Sequence, residues 1–342
     1  MQYNGKYNFF NNRNIKNYFI SDEDRKVSID DIIIPNKILE KTINIPSKYE
    51  ERIEIISDII VKNRKNNKPV ILFTGAHLIK NGLSLIIIDL IKHDILTLVA
   101  GNGATAIHDF ELAMVGQTGE NVPKALEKGQ FGMSFVFDYL NAAISLGNKY
   151  KLGFGETLGK MICECPFSNE VFERINENKI LNKFLFPKVS IIVACYEKNI
   201  PFTVHVGIGT DVIDQHQNFD GEAKGGCSGR DFLIFVKEIE NFYGGGVFLN
   251  VGSAITGPEV LLKATSMVAN IGKPPLGIVT ADFDLRKESS TKINDESAQY
   301  YYRDQKSIVH RIPDAFNGIG FYIEGDQKVT IPLLYKKIMS KL

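Results

Sequence analysis

The chain has 342 residues, with 40 Lys and Arg against 40 Asp and Glu, so its formal net charge at pH 7 is zero. A balanced charge gives no overall field that would concentrate nucleic acid or an anionic membrane, so we expect neither as a partner. The most apolar stretch, 83–91, is far shorter than the roughly 20 residues of a membrane span, and residues 1–16 lack the apolar core of a signal peptide. These features predict a cytoplasmic protein.

The cysteines do not predict a metal or a disulfide framework. Four cysteines are present, two of them as C-x-C at Cys163 and Cys165. A zinc site usually shows C-x₂₋₄-C pairs with matching cysteines or histidines elsewhere. We therefore predict reduced, mostly buried thiols and no metal site.

In chain order, a polar arm is followed by alternating helix and strand patterns. We interpret residues 1–46 as a partly ordered arm and residues 47–342 as a single domain, because no linker or repeat divides the chain. Apolar residues at helical spacing predict helices at 47–67, 77–94, from 104, 131–147, 186–199, 229–244 and 257–273. Short apolar runs predict strands at 69–75, 95–101, 200–207, 246–252 and 275–283.

These strands are apolar on both faces and are separated by single helices. That pattern is typical of a mostly parallel sheet covered by helices on both faces, so we predict a doubly wound α/β fold. Ligands of such sheets bind beyond the carboxyl ends of the strands. The segments that we interpret as turns at these ends are 74–82, 101–111, 206–214, 251–259 and 280–284.

One of these turns, GNGATA (101–106), fits the pattern G-x-G-x-x-G/A of dinucleotide-binding folds. The complete fingerprint also needs an acid about 20 residues later, at the end of the next strand. Glu120 has the right distance, but the surrounding segment 116–122 reads as a loop. The motif is therefore better explained as a phosphate-facing turn of another nucleotide-binding fold.

Three histidines follow or end strands and are candidates for acid–base chemistry. His108 and Asp109 lie in the first turn or two of the helix predicted from 104, His77 follows the preceding strand, and His205 lies on the strand before GIGTD, so strand-end geometry could bring the three histidines together. The functional interpretation makes His108 an acid–base group, with Asp109 or Glu111 to orient it or to hold a cationic substrate. The alternatives are that Asp109 serves the helix N-terminus and that the histidines are packed or surface residues.

Four aspartates also stand at predicted strand ends: Asp211, Asp214, Asp282 and Asp284. Carboxylates there can bind ribose hydroxyls or amines, although aspartates are common in turns for conformational reasons. Other nucleotide and hydrolase classes are disfavoured, because the chain has no G-x-S-x-G elbow and no G-x₄-G-K-[ST] P-loop.

Four segments resemble the deoxyhypusine synthase family. TGAHLIKNGLS (74–84), followed by VAGNGATAIHDFE (99–111), resembles the family's first nucleotide-contacting turns. IPFTVHVGIGTDVID (200–214) is similar to the family stretch whose final Asp falls on Asp214, and residues 257–284 resemble the segment that ends I-N-T-A-x-E-F-D. The resemblance spans roughly residues 47–340.

The resemblance implies a homotetrameric, NAD-binding, Rossmann-like fold. It also implies a family reaction in which spermidine is oxidised with NAD and a butylamine group passes through a lysine imine to a protein lysine. The resemblance puts cofactor contacts on Thr74, Gly75, Ala76, Gly101, Gly103, Asp214, Thr280 and Ala281, and we add the neighbouring His77, Asn102, Asp211 and Asp282.

The sequence departs from the family at the catalytic lysine. In the matched register the imine-forming lysine falls on Glu259 and the histidine after it on Val260. A carboxylate cannot form a Schiff base. Lys263 stands one helical turn further on, and the acidic pair of the second family turn is also missing.

We therefore predict a deoxyhypusine synthase-like, NAD-dependent enzyme that oxidises an amine or polyamine-type small molecule or transfers an aminoalkyl group. His108 or His205 would be the acid–base group, and Asp109, Asp211, Glu259 or Asp284 would bind a cationic substrate. The alternatives are a true deoxyhypusine synthase that uses Lys263 or another lysine, and a non-catalytic NAD-binding oligomer. NAD-dependent deacylation is a weaker alternative, because the paired-cysteine zinc module of sirtuin-like proteins is absent.

Overall fold

A computed structural model describes residues 3–19, 25–175, 181–290, 293 and 302–342. Its central feature is a parallel sheet of six strands, accompanied by a separate pair of short antiparallel strands. The strands are β1 (Arg25–Ser28), β2 (Val70–Thr74), β3 (Leu98–Asn102), β4 (Gln117–Glu120), β5 (Phe202–His205), β6 (Val247–Val251), β7 (Val279–Asp284) and β8 (Ile319–Glu324).

The order of the six strands in the large sheet is β5-β3-β2-β6-β7-β8, and every neighbouring pair is parallel. The chain runs outward from β2 through β3 to β5, then returns to the other side of β2 and runs outward again through β6 to β8. Its direction therefore reverses between β2 and β6. This is the strand order of dinucleotide-binding folds, whose ligands bind at the reversal. The predicted doubly wound parallel sheet is confirmed.

Helices connect the strands and cover both faces of the sheet. They are α1 (Pro35–Glu40), α2 (Ser47–Lys65), α3 (His77–Lys80), α4 (Ser84–Lys92), α5 (Gly103–Val115), α6 (Val122–Glu127), α7 (Val136–Lys149), α8 (Phe154–Cys163), α9 (Cys165–Arg174), α10 (Ile191–Glu197), α11 (Gly221–Glu240), α12 (Thr256–Asn270), α13 (Ile312–Ala315) and α14 (Gln327–Met339). The helix predicted at 77–94 is two helices, because Gly82 takes a left-handed φ of 72° between α3 and α4.

Alternate side chains of each strand pack into two separate parts of the core. On β2, Val70 and Leu72 pack with residues of α2, α4 and α14, whereas Ile71 and Phe73 pack with residues of α11 and α12. The strands are thus buried on both faces, which explains why they read as continuous apolar runs rather than alternating ones.

Two predicted segments differ from the structure. Residues 116–122 contain β4, which pairs antiparallel with β1, so the prediction of a loop there is wrong. The segment lacks an apolar run and forms a strand only because a distant segment pairs with it. Residues 280–284 lie inside β7 and are not a turn after it. The apolar run at 275–283 begins four residues before the strand does.

The N-terminal segment contacts the rest of the chain through β1 and α1. β1 pairs with β4, and Ile38 of α1 is buried in the main core. Cys195 and Cys227 are buried, whereas Cys163 and Cys165 are exposed free thiols. Within the described ranges, no helix is both long and apolar enough to cross a membrane, and no group of three or more His, Cys, Asp or Glu side chains is arranged to hold a metal.

Candidate functional site

A cavity of about 240 Å³ opens at the carboxyl edge of the sheet, beside the ends of β3 and β5. Its wall includes apolar side chains from α5, from α7 and from the loop before α7, such as Ile107, Phe131 and Phe137. Five ionisable side chains also line it: Lys80, His108, Glu111, Glu120 and Asp211. A small, mostly apolar cavity with a few convergent polar groups is the usual form of a ligand site.

A hydrogen-bonded relay holds His108 in this cavity. Nδ1 of His108 lies 2.6 Å from the hydroxyl oxygen of Thr118, and that hydroxyl donates to the carboxylate of Glu111. Because the hydroxyl proton points to Glu111, Nδ1 must be the donor to Thr118. In the neutral ring, Nε2 is then left as the proton acceptor.

The far end of the relay is Glu111, which is buried and forms an ion pair with Arg25. Burial raises the pKa of Glu111, but His108, Arg25 and Thr118 outweigh burial and hold the pKa below its ordinary value. Glu111 is therefore ionised at neutral pH, and its carboxylate lies 3.5 Å from Nδ1 of His108.

Glu120 is the carboxylate of the cavity without a cationic partner. Its side chain accepts a hydrogen bond of 3.1 Å from the N–H of Gly132, and within the described part of the chain no lysine, arginine or histidine forms an ion pair with it. Burial raises the pKa of Glu120 and the nearby charge of Glu111 adds to the increase, whereas the hydrogen bond from Gly132 and the charges of Arg25 and His108 oppose it. A positively charged ligand would stabilise its ionised form.

Asp211 belongs to a buried charge cluster that sequence reasoning missed. Lys224, whose side chain is 1% exposed, lies 2.8 Å from the carboxylate of Asp211 and 2.5 Å from that of Asp214. Its ammonium also donates to the carbonyl of Gly207, 3.2 Å away. Lysine is seldom fully buried, so nothing in the segment GEAKGG indicated that Lys224 would hold the 206–214 loop.

Burial raises the pKa of Asp211, Lys224 opposes the increase and Asp214 adds to it. The carboxylate also lies where a side chain on Gly103 would be, at the first residue of α5. Asp211 is thus held between α5 and Lys224, with one side on the cavity. The structure places both predicted aspartates in one cluster, and their role as cofactor contacts stays a prediction.

Asp109 points away from the cavity. It is 1% exposed, and its carboxylate accepts hydrogen bonds from the hydroxyl of Ser190 and from the first backbone N–H groups of α10, at 2.8 Å for Ile191 and 3.3 Å for Ile192. Burial raises its pKa to about 6, although these bonds oppose the increase. The carboxylate therefore serves a helix N-terminus, but that of α10 and not that of its own helix.

His205 and His77 are also separated from each other. His205 is buried against Phe73 and Phe235 on the α11 side of the sheet, and burial lowers its pKa to about 3. His77 is exposed at the start of α3, where desolvation and the charges of Lys80 and His108 lower its pKa. Of the three histidines, His77 and His108 are near each other, whereas His205 is a neutral member of an aromatic cluster.

The turn after β2 lies at the reversal of strand order, next to the turn after β6. Gly75 donates its N–H to the carbonyl of Val251, and a side chain on Gly75 would overlap the carbonyl oxygen of Gly252. The hydroxyl of Thr74 also bonds to Val251. In the described part of the chain, the N–H groups of Ala76 and His77 donate to no acceptor.

In the glycine-rich turn after β3, residues 101–105 mainly contact other parts of the protein. Asn102 accepts a hydrogen bond of 3.0 Å from the N–H of Thr105 and so caps α5. A side chain on Gly101 would overlap that of Thr105, whose hydroxyl donates to the carbonyl of Thr74. These contacts join the ends of β2 and β3.

The predicted contacts in β7 lie inside the sheet. Thr280, Ala281 and Asp282 are fully buried, and the hydroxyl of Thr280 donates to the carbonyl of Ile308. Asp282 accepts a hydrogen bond of 2.8 Å from the amide of Asn250, and burial raises its pKa to about 7. Their assignment to the cofactor stays a prediction.

Glu259 and Lys263 lie together on α12, outside the wall of the cavity. Their side chains form an ion pair, and Glu259 also pairs with Arg303 at 3.1 Å. The side chain of Lys263 is 55% exposed. The structure thus gives both residues a surface ion pair, and the predicted catalytic role of Glu259 is not tested by it.

No protein-family model and no curated protein sequence matches the chain. Similar solved structures include ArgZ, a cyanobacterial arginine dihydrolase (14% identity, TM-score 0.47, covering 87% of this chain and 33% of that chain). AgrE in complex with ornithine and NAD⁺ has 13% identity and a TM-score of 0.49, covering 88% of this chain and 34% of that chain.

A proposed deoxyhypusine synthase from Entamoeba histolytica is 13% identical with a TM-score of 0.40, and the match covers 95% of this chain and 97% of that one. By contrast, this chain spans about one third of the length of ArgZ and AgrE. At this level of similarity the activities of these proteins are not transferred to the chain, and its own residues must support any function.

Proposed function

We propose that the protein is an NAD-binding enzyme that acts on an amine-bearing small molecule held in the 240 Å³ cavity. The observation that carries the proposal is Glu120, a partly buried carboxylate on the cavity wall with a single backbone N–H as its partner among the described residues. A carboxylate in that position is costly unless a cation pairs with it, and a substrate ammonium group is such a cation.

The turn after β2, at the reversal of strand order, has features that fit a dinucleotide. Phosphates bind where backbone N–H groups lack acceptors and where glycine allows close approach. Ala76 and His77 offer such N–H groups in the described structure, and Gly75 brings the β2 and β6 turns together. These residues would hold the phosphates. When bound, the nicotinamide supplies a hydride acceptor.

His108 is the residue of the cavity that can exchange a proton with the substrate. The relay through Thr118 leaves Nε2 as the acceptor, and the buried carboxylate of Glu111 lies beside Nδ1. An ammonium substrate must lose a proton before a hydride can leave the carbon next to nitrogen. His108 would accept that proton, and Glu120 would hold a second amine of the substrate.

Binding tests the cofactor and the amine separately. We expect NAD to co-purify with the protein, detected by mass spectrometry, or to raise its melting temperature when added. Titration calorimetry with spermidine and with diamines should then show binding that Glu120→Gln weakens about tenfold or more, since one charge pair is lost. Glu127→Gln, an exposed carboxylate on α6, is the matched control and should bind as the wild type does.

Turnover decides between an enzyme and a binding protein. An amine-dependent rise in NADH absorbance, lost in His108→Ala while NAD affinity is kept, would support catalysis. Tight NAD binding with no turnover of any amine, unaffected by His108→Ala, would favour the non-catalytic alternative. No NAD binding and no thermal protection would overturn the proposal.

A further inference from the structure

The cavity contains one positive group as well as one negative group without a partner. Lys80, at the end of α3, lines the cavity, and within the described ranges it forms neither an ion pair nor a side-chain hydrogen bond. Lys80 and Glu120 line the same small cavity yet do not pair with each other. They are therefore both available to a ligand.

The other charges of the cavity are already compensated by the protein. Glu111 pairs with Arg25, and Asp211 pairs with Lys224. Among the described residues, the wall then still offers the carboxylate of Glu120, the ammonium group of Lys80 and the imidazole of His108. The ligand that complements this wall carries an ammonium group and an anionic group at the same time.

We propose that the substrate is an amino acid with a second, side-chain amine, bound with its carboxylate on Lys80 and an ammonium group on Glu120. This inference rests on the proposed function and narrows its substrate class. A simple polyamine matches the wall less well, because it brings only positive charges toward Lys80. A carboxylate replaces that repulsion by attraction, which is strong in a partly desolvated cavity.

Lys80 also follows the turn that would hold the cofactor phosphates, so a phosphate is the competing anion. The two anions that Lys80 could contact, a substrate carboxylate and a cofactor phosphate, are distinguished by which ligand loses affinity when Lys80 is changed. A contact to the substrate carboxylate affects amino-acid binding and leaves NAD affinity unchanged. A contact to phosphate affects NAD affinity first.

The test compares L-lysine with cadaverine, which has the same carbon chain and both amines but no carboxylate. With the NAD-loaded wild type we expect calorimetry to show L-lysine bound at least tenfold more tightly than cadaverine. Lys80→Met, which keeps the length of the side chain and removes its charge, should abolish this preference and leave cadaverine binding unchanged or stronger. Lys92→Met, at the exposed end of α4, is the control and should keep the preference.

The outcomes separate this inference from the function on which it rests. Equal affinity for cadaverine and L-lysine in the wild type, with NAD bound, overturns the amino-acid inference and leaves the amine-binding proposal intact. The amino-acid inference is also overturned if Lys80→Met loses as much affinity for NAD as it loses for L-lysine. Failure of NAD and of both amines to bind overturns the two proposals together. Because the wild-type comparison needs no variant, the inference can still be tested if Lys80→Met folds poorly.

Discussion

The two halves of the carboxyl edge are built from similar residues and behave differently. Beyond β3 and β5, carboxylates line an open cavity, and two of them are paired with Lys224 and Arg25. At β6 and β7, Asp282 lies inside its strand and is fully buried against Asn250, and one of its carboxylate oxygens has no hydrogen-bond partner among the described residues.

The difference shows that a strand-end aspartate does not by itself indicate a binding site. In the half of the edge beyond β3 and β5, here called the open half, Asp211 projects from a loop after its strand and reaches the cavity. In the half at β6 and β7, here called the closed half, Asp282 lies within its strand, so its side chain is covered by neighbouring elements. Whether such a carboxylate faces the cavity or the core depends on whether it lies beyond the end of its strand or inside it.

Lys224 tests the open half with the largest expected effect. Lys224→Met would leave Asp211 and Asp214 buried beside each other without a cation, so the free energy of unfolding should fall by about 3–5 kcal/mol. Denaturant titration measures this fall. Lys237→Met, on the exposed face of the same helix, removes only a surface pair with Glu240 and should change stability by less than about 1 kcal/mol. Equal effects for the two variants would contradict the buried cluster.

Gly75 tests the boundary between the halves. Gly75→Ala would overlap the carbonyl of Gly252, a backbone atom that cannot turn aside, and should cost about 1–3 kcal/mol and weaken NAD binding. Gly225→Ala in α11 meets no atom within 4 Å, so its expected effect is zero or a small stabilisation. If Gly75→Ala melts like Gly225→Ala, the two turns are not packed together as described.

Asp282 tests the closed half through pH. Its folded pKa, about 7, lies above the ordinary value of 3.8, so the folded state keeps a proton that the unfolded state releases. Stability from this group is complete below pH 4 and is lost as the pH rises through 7. Asp282→Asn should therefore be more stable than the wild type by about 1–2 kcal/mol at pH 8, and the difference should shrink toward pH 5. Thermal melts at both pH values measure it, with the exposed Asp30→Asn as control. A difference that does not vary with pH would contradict the assignment.

Glu120 tests the open half with the smallest effect on stability. Its carboxylate has one backbone partner in the described structure, and burial already disfavours its charge. Glu120→Gln should therefore change the free energy of unfolding by less than about 0.5 kcal/mol while it weakens amine binding. A loss of stability comparable with that of Lys224→Met would show that Glu120 is structural.

Much of the framework could be predicted from the sequence because it depends on local pattern. The buried strands and the helices at α2, α5 and α12 follow from apolar runs and helical spacing, and their alternation indicates a parallel sheet. β4 could not be found in this way, because its strand exists only through pairing with β1. The apolar run at 275–283 also could not show that β7 would begin at Val279 and continue to Asp284.

The doubly wound sheet and most of the polar turns at its carboxyl edge follow from the periodicity of apolar residues and could be predicted without a structure. The contacts of each polar side chain depend on the folded chain. It turned Asp109 toward α10, enclosed His205 among aromatic rings, and placed Lys224 between two aspartates. It also left Lys80 and Glu120 unpaired, within the described ranges, on one cavity wall. Such partners lie far apart in sequence, and electrostatic pairing depends on distance in space rather than along the chain.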